Sequence, residues 1–532
     1  MARRSFWAWG LDTDEPSREQ LASAAKRLSE RFGQTLEPAA PPTLAELSLR
    51  QPRTRPPAAL AGICSTDVYD RAAHTYGRSF SDTVRAYRRD FSHPPDVVAY
   101  PRAEADVVAL LEWCSAANVV AVPYGGGSSV VGGVAAPEGD RPVVTIDLRE
   151  MGRLLEVDAT SRAARIQAGA LGPALEEQLK PHGLTLRHFP QSFEYSSLGG
   201  WIVTRSGGHY ATNHTHIDDF VESVRMVTPR GMWESRRLPG SGAGPSPDRM
   251  VLGSEGILGI VTEAWMRVQA RPVFRASAGV LFETFAAGWE AARRIAQAKL
   301  WPANCRLLDP GEARAAAGGD GKHAVLVLAF ESADVSQGAP MAEAVRIARE
   351  CGGQIEDEAV RVSDASDEGM GRQGAVGEWR NSFIRAPYQR NSMMGLGIVG
   401  DTFETSITWD RWPAFDASVR AAVEETMRRV CGGGTLTCRF THVYPDGPAP
   451  YYSFQALGKR GGELEIWQEI KRAAADAVMA GGGTITHHHA VGRDHRPWYD
   501  GQRPDPFAEA LRAAKKAVDP QALLNPGVLI DP

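Results

Sequence analysis

The chain has 532 residues, of which 43% are hydrophobic and 23% are charged, so most of it is expected to fold rather than remain disordered. Its formal net charge of −5 argues against a large basic surface for binding nucleic acid. The net charge does not exclude a local basic pocket. The six cysteines form no C-x-x-C pair, which argues against a zinc knuckle or a disulfide framework and favours a reducing, cytoplasmic compartment.

The N-terminal region carries one pattern that resembles an export signal, Arg3-Arg4-Ser5-Phe6. The apolar stretch that follows is broken by acidic residues after Leu11, whereas a signal peptide needs about 7–15 apolar residues. We therefore expect no signal peptide, and no apolar run reaches the roughly 18 residues of a transmembrane helix. Helical spacing over Glu19–Phe32, followed by several prolines, predicts a mostly helical extension over residues 1–90.

A strand, a helix and a strand follow one another at Asp96–Tyr100, Glu104–Asn118 and Val119–Pro123. This spacing predicts a βαβ unit with parallel strands. Further strands are predicted at Val143–Leu148, Ala163–Ala170 and Met226–Pro229, with a helix over Gly172–Lys180. Residues 91–271 therefore read as one α+β module.

The sequence changes character after residue 271. A helix at Thr284–Ala298, a strand at Val325–Glu331 and a helix at Met341–Cys351 predict a sheet covered by helices on one face. A strand at Leu436–Tyr444 and a helix at Glu463–Ala480 complete a domain over residues 272–480. Residues 481–532 form a C-terminal segment with a run of three histidines and a last helix at Pro506–Ala517.

Four loops rich in glycine and serine lie beside the strands of the 91–271 module. The first, Pro123–Ser129, is neither G-x-G-x-x-G nor a Walker loop, but three successive glycines let backbone N–H groups converge on an anion such as a pyrophosphate. A single loop of this kind is as consistent with an ordinary flexible turn as with a binding site. Four such loops in one module indicate that the module binds a long ligand. The candidate cofactor-binding residues are Pro123, Tyr124, Gly125, Gly126, Gly127, Ser128, Ser129, Pro190, Gln191, Ser192, Ser196, Gly199, Gly200, Thr204, Arg205, Ser206, Gly253, Ser254, Glu255, Gly256, Ile257, Leu258 and Gly259.

These loops, in this order, resemble the FAD-binding module of the vanillyl-alcohol oxidase / p-cresol methylhydroxylase superfamily, and Leu524-Asn525-Pro526-Gly527 resembles its C-terminal closure. The resemblance implies an α+β fold: a PCMH-type FAD-binding domain of two α+β subdomains and a sheet-and-helix cap domain, with the C-terminal segment closing on the FAD domain. It implies that the first loop holds the FAD pyrophosphate. We predict noncovalent FAD, because Ser128 and Ser129 stand where members with a covalent flavin often carry histidine, and Arg205–His209 lies where no linkage is expected.

The run His487-His488-His489 admits several interpretations. Adjacent histidines on a strand point to opposite faces, so all three do not bind one ion comfortably, and we predict no metal site. A loop over the flavin, where imidazoles act as acids, bases and hydrogen-bond donors, is favoured. A purely structural loop remains open.

A second, more specific resemblance extends over nearly the whole chain. It is to the alkyl-dihydroxyacetonephosphate synthase family, and its motifs are Trp7-Ala8-Trp9-Gly10, Arg306-Leu307-Leu308-Asp309, Phe403-Glu404-Thr405-Ser406 with Trp409-Asp410-Arg411, Cys438-Arg439 with Tyr444, Gly447 and Tyr451, and Thr486–His489 with Val491-Gly492 and Trp498. It implies an enzyme that exchanges the acyl group of acyl-dihydroxyacetone phosphate for a fatty alcohol through a flavin N5 adduct. The resemblance is also compatible with a peripheral membrane contact and with a homodimer.

The resemblance also assigns roles residue by residue. Tyr451 matches the proton acceptor, Arg390 matches the arginine at the substrate phosphate, and the remaining catalytic matches are His487, His488, His489, Arg306 and His188. The chain departs from the family pattern at Ala490, where the family has glycine, and at Asn391, where it has aspartate. These departures leave the flavin chemistry intact but put the substrate in doubt.

Two other functions remain as alternatives. The first is an FAD-dependent dehydrogenase or oxidase of a 2-hydroxy acid such as D-lactate or glycolate, which shares the FAD module. Those enzymes usually have an acidic residue before a segment like His488-His489-Ala490-Val491-Gly492, and this chain has none. The second is a flavoprotein without enzymatic activity, which the complete set of catalytic matches disfavours.

Overall fold

The computed structural model of the chain describes residues 2–210, 214, 216–363 and 374–531. Its N-terminal residues share the hydrophobic core of the later domains, where Trp7 is fully buried with Phe80 and Tyr87. The helices of this region are α1 (Arg18–Phe32), α2 (Val68–Ala73) and α3 (Phe80–Tyr87). Helix α1 begins where Ser17 accepts the N–H of Gln20, which confirms the helix predicted from spacing.

The first sheet contains the predicted βαβ unit. Its elements are β1 (Cys64–Ser65), β2 (Val97–Ala99), α4 (Glu104–Ala117), β3 (Val120–Tyr124) and β4 (Val143–Asp147). Strands β2 and β3 are parallel, as predicted, but β4 lies between them in the order β1-β2-β4-β3. The central strand β4 is buried along its whole length, as expected for a strand covered on both faces.

The second sheet is antiparallel, with strand order β5-β6-β10-β8-β9. The elements of this part are β5 (Leu154–Asp158), β6 (Ala163–Gln167), α5 (Gly172–Leu179), β7 (Leu184–Thr185), α6 (Leu198–Thr204), β8 (Val221–Thr228), β9 (Gly231–Glu234), α7 (Pro247–Val251), β10 (Ile260–Arg267) and β11 (Gln269–Ala270). Strands β7 and β11 form a separate two-stranded ribbon. The first two sheets share one hydrophobic core, which matches the expected pair of α+β subdomains.

The third sheet has seven antiparallel strands in the order β15-β12-β14-β13-β17-β18-β16. Its strands are β12 (Phe274–Phe282), β13 (Asn304–Leu308), β14 (Ala324–Ser332), β15 (Arg361–Ser363), β16 (Ile398–Glu404), β17 (Thr435–Val443) and β18 (Pro448–Leu457). Its helices are α8 (Phe285–Gln297), α9 (Pro310–Ala316), α10 (Gly338–Glu350), α11 (Gly374–Asn391), α12 (Trp412–Cys431) and α13 (Glu463–Ala480).

Helices lie on both faces of this third sheet rather than on one. Buried residues of α8, α10, α12 and α13 form the large core on one face. On the other face Ala313 of α9 packs with Leu308, Val325 and Val327, and Phe383 of α11 covers this small cluster. The second face therefore has only a thin cover, which leaves room for a cavity.

The last residues of the chain return to the first sheet. After α14 (Arg496–Gln502) and α15 (Asp505–Val518), Leu524 pairs with Ala121 of β3 in a parallel bridge. The buried Lys515 ammonium donates to the carbonyl oxygens of Ile257 and Leu524, which ties this segment to the fourth glycine loop. The predicted boundaries at residues 90, 271 and 480 stay predictions, and residues 364–373 of the 272–480 range lie outside the described part. None of the described helices is long and apolar enough to cross a membrane.

Candidate active site

A large cavity lies between the loops of the first two sheets and the thinly covered face of the third. Its volume of about 530 Å³ lies in the range of sites for small molecules and cofactors. Of the candidate cofactor-binding residues, those lining it are Pro123, Tyr124, Gly125, Gly126, Gly127, Ser128, Ser129, Pro190, Gln191, Ser192, Ser196, Gly199, Gly200, Thr204, Ser206, Glu255, Gly256 and Gly259. The structure thus brings the four loops together around one space.

The other five candidates lie off the wall. Arg205 caps α6 with a left-handed φ of 51°, which turns its side chain outward to pair with Asp218. Ile257 and Leu258 point into the core between the first two sheets, because their side chains are apolar. Gly253 and Ser254 belong to the same turn but are also absent from the wall.

The first loop has the donors that an FAD pyrophosphate needs. Among the described residues, no protein acceptor receives the N–H groups of Gly126, Gly127 and Ser128, which line the cavity. A Cβ at Gly126 would lie 1.7 Å from the Tyr195 carbonyl oxygen, so only glycine allows this loop to pack against the second one. Unpaired backbone N–H groups in a loop of this kind form an anion-binding nest, and the site fits FAD.

The C-terminal segment completes the wall. The Asn525 amide group donates to the carbonyl oxygens of Gly133 (3.0 Å) and Glu255 (2.8 Å), and its residue lines the cavity. The buried Asn525 side chain thus links residue Gly133, just after the first loop, to the fourth loop.

Tyr451 lies at the centre of three neighbouring strands. On β18 it is directly opposite Glu404 of β16 and Arg439 of β17. The Arg439 guanidinium lies 3.9 Å from the centre of the Tyr451 ring, and the phenol donates to the Thr402 hydroxyl at 2.9 Å. Burial raises the pKa of Tyr451, while the Arg439 charge opposes this rise.

The histidine loop is fixed through its backbone by Glu404. The Glu404 carboxylate, 2% exposed, accepts N–H groups of His487 (2.7 Å), His488 (3.2 Å) and His489 (3.0 Å) and the Thr486 hydroxyl (2.5 Å). Burial alone would raise the pKa of Glu404, but its contacts with His488 and His489 hold the pKa well below the ordinary range. The His488 and His489 rings therefore stand beside Tyr451, at ring-centre distances of 6.1 and 5.4 Å.

Glu255 fixes the other end of the same loop. Its carboxylate accepts the N–H groups of Val491 and Gly492, both at 2.8 Å. Burial raises the pKa of Glu255 to about 7, and these two N–H groups oppose the rise. Ala490 lies between the two carboxylates with a left-handed φ of 72°, a backbone conformation that strains any residue except glycine.

The imidazoles of His487 and His489 are neutral near pH 7. Burial lowers the pKa of His489 to about 3 and holds the pKa of His487 well below its ordinary value. A neutral imidazole offers one lone pair and one N–H. His488 and His489 line the cavity, while His487 lies behind them.

Arg390 lines the cavity beside Tyr451 and is held in place from two sides. It donates to the Asp401 carboxylate at 2.9 Å and to the Arg78 carbonyl oxygen at 3.2 Å. The next residue, Asn391, exchanges two hydrogen bonds of 2.9 Å with the backbone N–H and carbonyl of Trp9. The N-terminal segment is thereby attached directly beside the predicted phosphate arginine.

The two remaining catalytic candidates lie further from Tyr451. Arg306 is buried on the cavity wall, donates to the His209 carbonyl oxygen at 3.2 Å, and burial lowers its pKa to about 9. His188 is buried off the wall, where its Nε2 contacts the Ser206 hydroxyl at 2.8 Å and its ring packs on Trp201.

Sequence reasoning assigned no role to several residues of the site, notably Glu404, Arg439 and Trp9. All three stand inside motifs quoted above, but the contacts that define their roles cross between distant segments. The local signal for Glu404 was an acidic residue directly after the apolar Phe403 and before two hydroxyl residues.

Comparisons with known proteins agree with this geometry. Residues 95–235 match the family described as an FAD binding domain, and residues 271–529 match the C-terminal domain of FAD linked oxidases. The fold also resembles p-cresol methylhydroxylase, with a TM-score of 0.67 over 89% of this chain and 95% of that one at 15% identity. The expected fold class is confirmed, and the protein is an FAD-dependent enzyme with FAD as its cofactor.

A more specific relationship is visible over most of the chain. Alkyldihydroxyacetonephosphate synthase from Dictyostelium discoideum is 31% identical over 477 residues, which are 87% of this chain and 78% of that protein. A solved structure of alkyldihydroxyacetonephosphate synthase is 25% identical, with a TM-score of 0.80 over 98% of both chains. The chain belongs to the alkyldihydroxyacetonephosphate synthase family.

Proposed function

We propose that this enzyme exchanges the acyl group of acyl-dihydroxyacetone phosphate for a fatty alcohol, giving alkyl-dihydroxyacetone phosphate and a free fatty acid. The observation that carries the proposal is the juxtaposition of Tyr451, Arg439, His488 and His489 on the wall of the cavity that the four glycine loops line. A relative named alkyldihydroxyacetonephosphate synthase, after this product, aligns with 87% of this chain.

The arginines of the cavity suit a phosphate-bearing substrate. Arg390, Arg306 and Arg439 all line it, and a guanidinium bonds phosphate oxygens bidentately. Arg390 Nη2 lies 2.9 Å from Asp401 Oδ1, and this ion pair orients the guanidinium. We assign the phosphate to Arg390, because that side chain is anchored next to Tyr451.

Apolar side chains line another part of the cavity. Phe383, Ala386, Pro387, Met393 and Phe454 lie there, which supports an acyl or alkyl chain at this place. We propose that the substrates carry long chains, and that the enzyme works in the cytoplasm and contacts membranes peripherally to collect them.

Proton transfer falls to the chain's own groups. The Arg439 charge stabilises the phenolate form of Tyr451, which takes the proton from the carbon next to the ketone and returns it to that carbon once the ether bond has formed. The neutral His489 imidazole accepts the hydroxyl proton of the alcohol as its oxygen bonds to carbon, and the fatty acid leaves as the carboxylate. Bound FAD supplies an electrophilic ring system for the exchange. We assign it noncovalent binding, since serines stand at 128 and 129.

The test is anaerobic incubation of the FAD-loaded protein with palmitoyl-dihydroxyacetone phosphate and isotope-labelled hexadecanol. Mass spectrometry should detect labelled ether product, and Arg390→Gln should raise the KM for the phosphate substrate while FAD stays bound. Absence of ether together with steady flavin reduction by D-lactate or glycolate would overturn the proposal in favour of hydroxy-acid oxidation.

A further inference from the structure

Behind the histidine loop, away from the cavity wall, three side chains from separate segments meet at one point. The Nε2 atoms of His216 and His487 are 3.1 Å apart, and the Tyr444 hydroxyl lies 2.9 Å from His487 Nε2 and 3.1 Å from His216 Nε2. His216 comes from the turn before β8, Tyr444 follows β17, and His487 belongs to the loop. The three polar atoms form a nearly equilateral triangle.

Two-centre hydrogen bonds account for two sides of this triangle. An imidazole nitrogen is either a donor or an acceptor, and the phenol has a single hydrogen. If one of the two imidazole nitrogens carries a hydrogen, that hydrogen forms the bond along one side of the triangle. The Tyr444 hydroxyl hydrogen forms the bond along a second side. The third contact then brings two heavy atoms together at about 3 Å without a hydrogen between them.

A metal ion at this point would use all three lone pairs. Ligand atoms about 2.0–2.2 Å from one Zn²⁺ lie roughly 2.9–3.5 Å apart in octahedral or tetrahedral arrangements, which the observed sides match. The Nε2 atoms of His216 and His487 and the Tyr444 hydroxyl oxygen all face the same point, so each can direct a lone pair toward one ion. Residues His216, Tyr444 and His487 are each half-buried rather than fully enclosed.

Two more imidazoles adjoin the triangle. Ligand atoms of His442, His487 and His488 lie within 4.8 Å of one another, and His487 Nδ1 is 3.0 Å from His488 Nδ1. Nitrogen-rich surroundings of this kind favour ions such as Zn²⁺ over Mg²⁺ or Ca²⁺. The buried Glu404 carboxylate, 3.3 Å from His488 Nδ1, supplies a negative charge nearby.

We propose that His216, Tyr444 and His487, with His442 adjoining, bind a divalent transition-metal ion of the Zn²⁺ class. These three ligands come from separate segments rather than from adjacent positions of one strand, so they can converge on one ion. His216, Tyr444 and His487 lie off the wall of the cavity assigned to the acyl exchange, whereas the adjoining His442 lines it. A bound ion would fix His487 from the side opposite Glu404.

The experiment uses the full-length, FAD-loaded protein, stripped with a chelator, exchanged into Zn²⁺ buffer and gel-filtered. Elemental analysis should find about one Zn²⁺ per chain, and calorimetric titration should give its affinity. Because even outer-shell changes weaken metal sites about 10–100-fold, His216→Gln and His487→Gln should each weaken binding at least tenfold. His182→Gln, at an exposed histidine, should bind as the wild type does.

Flavin absorbance and the melting temperature show whether each variant is folded. A folded wild type that retains no Zn²⁺, or variants at His216 and His487 that bind it undiminished, would overturn the site. If His487→Gln does not fold, Tyr444→Phe and His216→Gln carry the test, because both alter the triangle without touching the loop. Metal content is measured without substrate, so its outcome is separate from that of the ether-forming reaction.

Discussion

Glu404 and Glu255 hold the histidine loop from its two ends, the first through the N–H groups of residues 487–489 and the second through those of residues 491 and 492. Glu404 belongs to the seven-stranded sheet and Glu255 to the fourth glycine loop. The imidazole positions therefore depend on how these two parts of the molecule are placed. Substitutions at these contacts and at other buried polar groups of the molecule should therefore change turnover or stability.

Replacing Glu404 by glutamine should misplace His488 and His489. The amide keeps one acceptor oxygen, so at least one buried N–H loses its partner, at a cost of about 1–3 kcal/mol. A displacement of about 1 Å at a catalytic group lowers turnover about 100-fold. Ether formation should fall by this factor while FAD content stays unchanged.

The matched control is Glu424→Gln, at an exposed position of α12, which should leave turnover unchanged. Wild-type turnover in Glu404→Gln would show that this carboxylate does not position the loop.

Ala490→Gly should stabilise the protein. The left-handed φ of 72° costs a non-glycine residue about 1–2 kcal/mol. Glycine avoids this cost but loses about 0.5–1 kcal/mol more conformational entropy on folding, which leaves a net gain of roughly 0.5–1 kcal/mol. Denaturant unfolding measures the difference. Ala417→Gly, at an exposed site within α12, should instead destabilise by about 1 kcal/mol, and a loss of stability in Ala490→Gly would contradict the strain argument.

Asn391→Asp should detach the N-terminal segment. An ionised aspartate has no hydrogen to donate to the Trp9 carbonyl oxygen and places a charge against it. We expect a loss of about 1–3 kcal/mol and faster proteolysis within residues 2–12. Asn118→Asp, at an exposed helix end, is the control and should cleave at the wild-type rate. Equal protection in both variants would mean that the Asn391 pair does not anchor the segment.

His188 should make the protein less stable in acid. Burial lowers the pKa of His188 to about 3, against about 6.5 in the unfolded chain. The folded state therefore binds fewer protons below pH 6.5, so stability falls as the pH drops, by about 2 kcal/mol at pH 5 from this group. The non-titrating variant His188→Gln should lose that much less between pH 7 and pH 5 in urea unfolding. An acid loss of stability in His188→Gln equal to that of the wild type would refute the assignment.

Local patterns predicted part of this molecule well. The four glycine loops lie around one cavity, and their contacts with FAD stay a prediction. The βαβ unit was predictable because strand periodicity and helix spacing are properties of short segments. The order of the first sheet was not, since nothing local places β4 between β2 and β3. The resemblance supplied Tyr451 and the histidines, but not the carboxylate that holds them. Glu404 meets Tyr451 only through the register of β16 on β18, and His216 meets His487 across 271 residues of chain.

The cavity wall includes Trp9 near one end of the chain and Asn525 near the other. During synthesis, the glycine loops leave the ribosome long before residue 525 does, and until then Gly133 and Glu255 lack the amide that joins them. A nascent chain stalled before residue 525 would therefore carry all four glycine loops without the side chain that joins Gly133 to Glu255.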